Sequence, residues 1–282
     1  MKQMASKKRS KTFNRKNENP TPRPKRPEKE ELMPTDDSIF IGRNPALETL
    51  KSDRDINKLF LQEGLSGDRL NKIMSLAKEK KIPFSIVPKS KLDQMSNGGN
   101  HQGVAVAASP VEYSTIDALF ERAEQKDELP FFLLLDGIED PHNLGSIMRT
   151  ADASGVHGII IPKRRATGLT AVVSKASAGA IEHVPVVRVT NMVQTIQELK
   201  DRGLWFYGTD MEGQDYREWK ADLPVGLVIG NEGKGISRLV KEHMDGVITI
   251  PMTGNVQSLN ASVAAGLLMY EVARKRNFPR NK

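Results

Sequence analysis

FFLLLDGI, residues 131–138, is a nearly unbroken apolar run closed by Asp136 and Gly137. A strand covered on one face alternates apolar and polar residues. A run without alternation predicts a strand buried on both faces, as in a parallel sheet. Similar runs recur downstream: HGIIIP (157–162), VPVVRV (184–189), LWFYGTD (204–210), GLVIG (226–230) and VITIP (247–251). Helical patterns lie between most of them: GSIMRTADAS (145–154), TAVVSKASAGAI (170–181), NMVQTIQELKDRG (191–203) and GISRLVKEHM (235–244). A long helical pattern, NASVAAGLLMYEVARKR (260–276), closes the series. Strands alternating with helices predict an α/β domain over 128–282, a parallel sheet with helices on both faces. Trp205 and Phe206 fall in a strand pattern and are expected in its core.

Upstream, residues 38–112 read as a smaller α/β module. NPALETLKS (44–52), DRLNKIMSLAKEKK (68–81) and KSKLDQM (89–95) are helical, while NKLFLQE (57–63), PFSIVP (83–88) and GVAVAASPV (103–111) are strands. The turn-rich loop MSNGGNHQG precedes the last strand. Residues 113–127, charged and partly helical, are expected to connect the two domains.

The chain has 282 residues and a net charge of +7. Residues 1–33 hold eleven Lys/Arg against four Glu, so the whole basic excess lies there. With four prolines and almost no large apolar residue, residues 1–37 are expected to be a disordered basic tail. Such an arm attracts polyanions, and RNA is the abundant one. The plain alternative is a solubilising tail. The chain has no cysteine, which excludes disulfides and thiolate metal sites. No apolar run has the length of a membrane span, and the N-terminus lacks a signal-type apolar core. A cytoplasmic location is expected, with no membrane partner. The five histidines have no ligand spacing, so no metal is expected; His101 and His142 read as hydrogen-bonding loop residues.

VIGNEGKGIS (228–237) follows a strand and resembles a phosphate-binding loop in composition only. The P-loop pattern fails because position 228 is Val, and the dinucleotide fingerprint fails because the order is G-x-x-G-x-G. Glu232 in its middle would repel a pyrophosphate, so the loop suits a ligand that is neutral or cationic there. An ordinary tight turn is the simpler reading of this stretch alone.

Two further stretches change that reading: DPHNLGSIMRTA (140–151) and IPMTGNVQSLNAS (250–262). All three lie where strands end and helices begin, the usual place for an α/β ligand site. Together they resemble the three motifs of the SpoU, or TrmH-type, ribose 2′-O-methyltransferases, in order and across residues 128–278. GRNPALETL and HQGVAV upstream look like the substrate-binding domain of the RlmB-like branch, which modifies a guanosine in the peptidyl-transferase loop of 23S rRNA.

The resemblance implies a C-terminal trefoil knot, a homodimer, and S-adenosylmethionine as methyl donor. Its sulfonium cation is compatible with Glu232. It also implies catalytic roles for Asn143, Arg149, Glu232, Ser258 and Asn260. Thr209, Gly230, Glu232, Gly235, Ile250, Leu259 and Asn260 are implied as cofactor contacts. Plainer readings stand beside these: an Arg149–Asp152 surface ion pair, a helix-start acid at Glu232, and helix caps at Ser258 and Asn260. The competing functions are a tRNA 2′-O-methyltransferase, a non-catalytic RNA-binding protein and a nucleotide-dependent dehydrogenase. The upstream module argues against the first, the five motif residues against the second and the glycine spacing against the third.

Overall fold

The apolar run that begins at Phe131 sits at the centre of a six-stranded sheet, and its side chains divide between the two faces. The computed structural model describes residues 39–256 and 258–276; the basic tail expected at 1–37 lies outside them. In chain order the first part comprises β1 (Ile39–Ile41), α1 (Arg43–Lys51), β2 (Ile56–Gln62), α2 (Asp68–Glu79), β3 (Phe84–Val87), α3 (Lys89–Met95) and β4 (Val104–Ala108). The strands form one mixed sheet in the order β1-β4-β2-β3, with β4 antiparallel to both neighbours and β2 parallel to β3. The apolar stripe of α2, Leu70, Ile73 and Ala77, is buried against Leu59, Leu61 and Val106 of this sheet. That stripe follows the three- and four-residue spacing of a helix face.

The second part runs α4 (Ile116–Gln125), β5 (Phe131–Asp136), α5 (Pro141–Ala153), β6 (Gly158–Pro162), α6 (Ala171–Ala176), β7 (Val186–Val189), α7 (Met192–Asp201), β8 (Trp205–Asp215), β9 (Val225–Gly230), α8 (Arg238–Lys241), β10 (Gly246–Thr249) and α9 (Ala261–Lys275). Every strand pair is parallel, in the order β10-β8-β9-β5-β6-β7. Phe131, Leu133 and Leu135 face one layer with α5, α6 and α9; Phe132 and Leu134 face the other with α4 and α7. Burial on both faces explains the missing alternation in the sequence.

Five expectations need correction. Residues 113–127 are more than a connector: Leu119 of α4 is fully buried against Phe132, and Gly158 has no Cβ because one would strike Leu119. Trp205 is 51% exposed, because alternation along β8 turns Phe206 inward instead. The helix expected over 235–244 is a single turn, α8, and the pattern over 170–181 splits into α6 and a 3-10 turn at Ala180–Glu182. The strand expected to end at Asp210 extends to Asp215, but its ladder jumps: Gly208 lies opposite Val247 and Gln214 opposite Ile248. Residues 209–213 thus leave the ladder as an irregular bulge, a device that re-aims side chains at a sheet edge.

Strand order reverses between β5 and β9. The chain moves outward to β6 and β7 on one side, then crosses to β8 and β9 on the other. The crevice beyond the carboxyl ends of β5 and β9 is the position open α/β sheets use for ligands.

Candidate active site

The loop after β5 enters α5 through a strong helix start. Asp140 caps it, its Oδ1 accepting from the His142 N–H at 2.8 Å, and Pro141 takes the first helical position. Asn143 therefore stands in the first turn, buried beside the crevice. The loop after β9 supplies Glu232. Asn260 caps α9 and accepts from the backbone N–H groups of Ser262 and Val263.

These three residues, far apart in sequence, form one hydrogen-bonded cluster. Asn143 Nδ2 donates to Glu232 Oε1 at 2.8 Å, and Asn260 Nδ2 donates to the same oxygen at 2.6 Å and to Asn143 Oδ1 at 2.9 Å. The Ala261 N–H also points to Glu232 Oε1, at 3.4 Å. Each donor is neutral, and among the described residues Glu232 has no cationic partner. Charge-assisted hydrogen bonds are worth about 1.5–3 kcal/mol each, so the cluster holds α5, the glycine loop and the start of α9 in one arrangement.

Asn231, which the sequence reading passed over, shapes the loop. Its Nδ2 donates to Gly137 O at 2.8 Å, and its Oδ1 accepts from the N–H groups of Gly233 and Lys234. Its backbone pairs in both directions with Gly235, which has φ 66°. The signal available was an Asn directly between Gly and Glu in a tight turn. Gly230 lies beneath this turn, where a Cβ would sit 2.3 Å from Gly235 C and Ile236 N. The turn is thus backbone packed on backbone, with no space for a side chain at Gly230.

The remaining expected residues are distributed around this centre. Thr209 begins the bulge of β8 and is half-buried. Ile250 and Leu259, also half-buried, bracket the segment between β10 and α9. Arg149 is exposed six residues along α5 from Asn143, about 9 Å by helical rise, and makes no ion pair with Asp152 among the described residues. Ser258 is exposed and joins neither the cluster nor the cap, which belongs to Asn260. His101 does bond within its loop, to Asp93 and to the Gly103 N–H, whereas at His142 it is the backbone N–H that bonds. No group of three His, Asp or Glu among the described residues could hold a metal.

The SpoU rRNA Methylase family model matches residues 130–270, and a model for RNA 2′-O ribose methyltransferase substrate binding matches 39–114. YacO of Bacillus subtilis, assigned to the TrmH family of tRNA/rRNA methyltransferases, is 57% identical over 84% of this chain and 95% of its own length. The chain belongs to the SpoU (TrmH) family. A Staphylococcus aureus member is 53% identical over 86% of this chain and 98% of its own. Among solved structures, an AdoMet-bound rRNA methyltransferase from Sinorhizobium meliloti aligns over 84% of this chain and 86% of its own, with 25% identity and a TM-score of 0.52. The SpoU methyltransferase AviRb of Streptomyces viridochromogenes, solved with AdoMet, shares the fold at 24% identity and a TM-score of 0.55, over 85% and 90% of the two chains. Within the SpoU domain, Asn143, Glu232 and Asn260 thus join three separated stretches of the chain in one bonded cluster.

Proposed function

We propose that this SpoU-family chain transfers a methyl group from S-adenosylmethionine to a ribose 2′-hydroxyl of RNA, with a guanosine of 23S rRNA as target. The observation that carries the reading is the Asn143–Glu232–Asn260 cluster at the sheet's switch point. The donor set fits the cofactor: the glycine turn presents bare backbone at the crevice, and a Glu232 carboxylate bonded only by neutral donors suits a cation more than a phosphate. Thr209, Gly230, Gly235, Ile250 and Leu259 would hold it. S-adenosylmethionine, when bound, supplies an activated methyl group on a sulfonium.

The chain's own task is positioning. Holding the ribose oxygen against the donor removes most of the entropic part of the barrier. Arg149 would grip an RNA phosphate or stabilise negative charge developing on the 2′-oxygen. A guanidinium stays protonated in proteins, so the proton leaves to water or phosphate instead. Asn143 and Glu232 would fix the geometry of the pocket, and Ser258 would border it.

A ribosomal target is favoured over tRNA by coverage. The TrmH/SpoU tRNA modifying enzyme of Aquifex aeolicus aligns with only 56% of this chain, at 31% identity and a TM-score of 0.50, whereas the S. meliloti rRNA enzyme aligns with 84%. The difference corresponds in size to the upstream module.

The reading includes a trefoil knot, because β10 lies at the sheet edge while the segment after it returns to place Asn260 against Asn143 and Glu232. It includes a homodimer, supported by Val263, Leu267 and Tyr270, an exposed apolar stripe along α9. It also places the protein with its RNA in the cytoplasm; no helix among the described residues is long and apolar enough to cross a membrane. Mapping ribose methylation across the ribosomal and transfer RNA of cells lacking this protein tests the function. One missing 2′-O-methylguanosine in 23S rRNA is expected; an unchanged map of both RNAs rejects it.

A further inference from the structure

The two sheets meet through a junction that the three motifs do not use. Tyr113 OH donates to Asn57 Oδ1 at 2.7 Å and accepts from the Leu169 N–H at 2.8 Å, while Asn57 Nδ2 donates to Leu169 O. Arg188 of β7 reaches across to β2, its Nη1 donating to Ile56 O at 2.9 Å and its Nη2 to Asn57 O at 3.3 Å. Beside this junction lies a cavity of about 320 Å³, bordered by Arg54, Asp55, Lys80, Lys81, Lys163 and Arg188. Five of these six are cations. The one carboxylate, Asp55, accepts from the Tyr113 N–H. None of the five cations has an ion pair among the described residues. Arg188 is held by carbonyls, and its Nε is buried with no hydrogen-bond partner. Arg188 also lies over the Tyr113 ring, and with one carboxylate against five cations the cavity's border carries excess positive charge that an anion would offset.

The pocket's position narrows the anion. Lys163 directly follows β6, so it stands at the same carboxyl edge of the sheet as the motif cluster. Neighbouring strands are about 4.8 Å apart, which puts the two sites within roughly 10–15 Å. The loop from Lys163 to Thr170 bridges them: the Thr167 N–H donates to Ile138 O, one residue beyond the Gly137 carbonyl that holds Asn231. Arg164 and Arg165 lie exposed on that loop. Arg54, Lys80 and Lys81 are exposed as well, which suits a chain passing through more than an enclosed small ligand.

We propose that this pocket binds a backbone phosphodiester of the RNA strand, a few nucleotides from the residue presented to the motif cluster, and so sets how far along the strand the target lies. The inference rests on the reading of the chain as an RNA-modifying enzyme, yet a binding measurement decides it without methyl transfer. Lys81→Gln combined with Lys163→Gln removes two cations whose side chains make no recorded bond among the described residues. Filter binding of labelled large-subunit ribosomal RNA should show the dissociation constant rising on the order of 10-fold at ~0.1 M salt, with the slope of log K against log salt falling by about 1.4, ~0.7 per contact. In methylation assays the KM for RNA should rise while kcat at saturation holds. A matched pair elsewhere, Lys72→Gln with Lys220→Gln, should leave both quantities in place. An unchanged slope in the first pair, or an equal fall in the second, overturns the proposal. Calorimetry with inorganic phosphate separates a small-anion site: tight phosphate binding lost in the first pair, with the RNA slope intact, also overturns it. A wild-type chain that binds RNA with this slope but transfers no methyl group leaves the pocket standing and rejects the enzymatic reading.

Discussion

Glu232 is the residue on which the three motif segments converge, and removing it tests whether that convergence holds the fold together. In Glu232→Ala, the Asn143 amide loses its recorded acceptor, and Asn260 Nδ2 keeps Asn143 Oδ1. An unsatisfied buried donor costs about 1–3 kcal/mol, and lost charge-assisted bonds add a similar amount. Glu232 is itself exposed, so water replaces part of what is lost, and the net cost should be about 1.5–2 kcal/mol. For a chain of this size each kcal/mol moves Tm by roughly 2–4 °C, so the expected fall is ~3–8 °C. Glu232→Gln keeps an oxygen at the same place and can accept the same three bonds as neutral ones, so its Tm should fall by less than half as much. The pair therefore separates geometry from charge: the Gln variant should retain stability yet bind S-adenosylmethionine at least several-fold more weakly. Thermal unfolding by circular dichroism and calorimetry measure the two effects. An alanine variant with wild-type Tm and wild-type cofactor affinity would refute the role given to the cluster.

Gly230→Ala puts a methyl group 2.3 Å from backbone atoms of Gly235 and Ile236, so the turn must shift; a loss of about 1–3 kcal/mol in denaturant unfolding is expected, together with weakened cofactor binding. His157 is fully buried; burial first, then the positive charges of Lys126, Arg276 and Arg122, lower its pKa to about 3. Its neutral ring accepts from the Phe131 N–H at Nδ1 and donates from Nε2 to Glu128. The unfolded chain takes up this proton below pH ~6.5 and the folded chain does not, so stability should fall with decreasing pH by up to about 1.4 kcal/mol per unit between ~6.5 and ~3. In pH-dependent unfolding, His157→Gln should flatten that slope; an unaltered slope would contradict the assignment. Tyr270→Asp places a charge in the exposed stripe of α9 and tests the proposed dimer: sedimentation velocity should show a dimeric wild-type chain and a monomeric variant, and a monomeric wild-type chain would reject it.

The sheet was legible because its central strands are buried on both faces: runs such as FFLLLDGI and GLVIG have few other structural solutions. Strand order was not, since placing β8 and β9 on the far side of β5 depends on a long crossover that leaves no local pattern. The same holds for the bulge at residues 209–213, which exists only through pairing with β10. In the site, Asn143, Glu232 and Asn260 were found through motif resemblance, and their mutual bonds are a tertiary fact. Asn231 was readable in principle from turn chemistry, as an Asn between two glycines of a tight turn. The Asn57–Tyr113–Arg188 junction gave no signal, because single polar residues in strands and connectors look alike until two sheets bring them together. Trp205 shows the limit of composition: a large aromatic in a strand belongs inside only if its parity points there.

The most direct test incubates the purified chain with methyl-labelled S-adenosylmethionine and unmodified 23S rRNA, then digests the RNA to nucleosides for mass spectrometry. The account predicts label on the ribose 2′-oxygen of a guanosine, absent when Arg149→Ala replaces a wild-type chain of equal stability. Label on a base, or transfer by the Arg149→Ala variant at the wild-type rate, would contradict it.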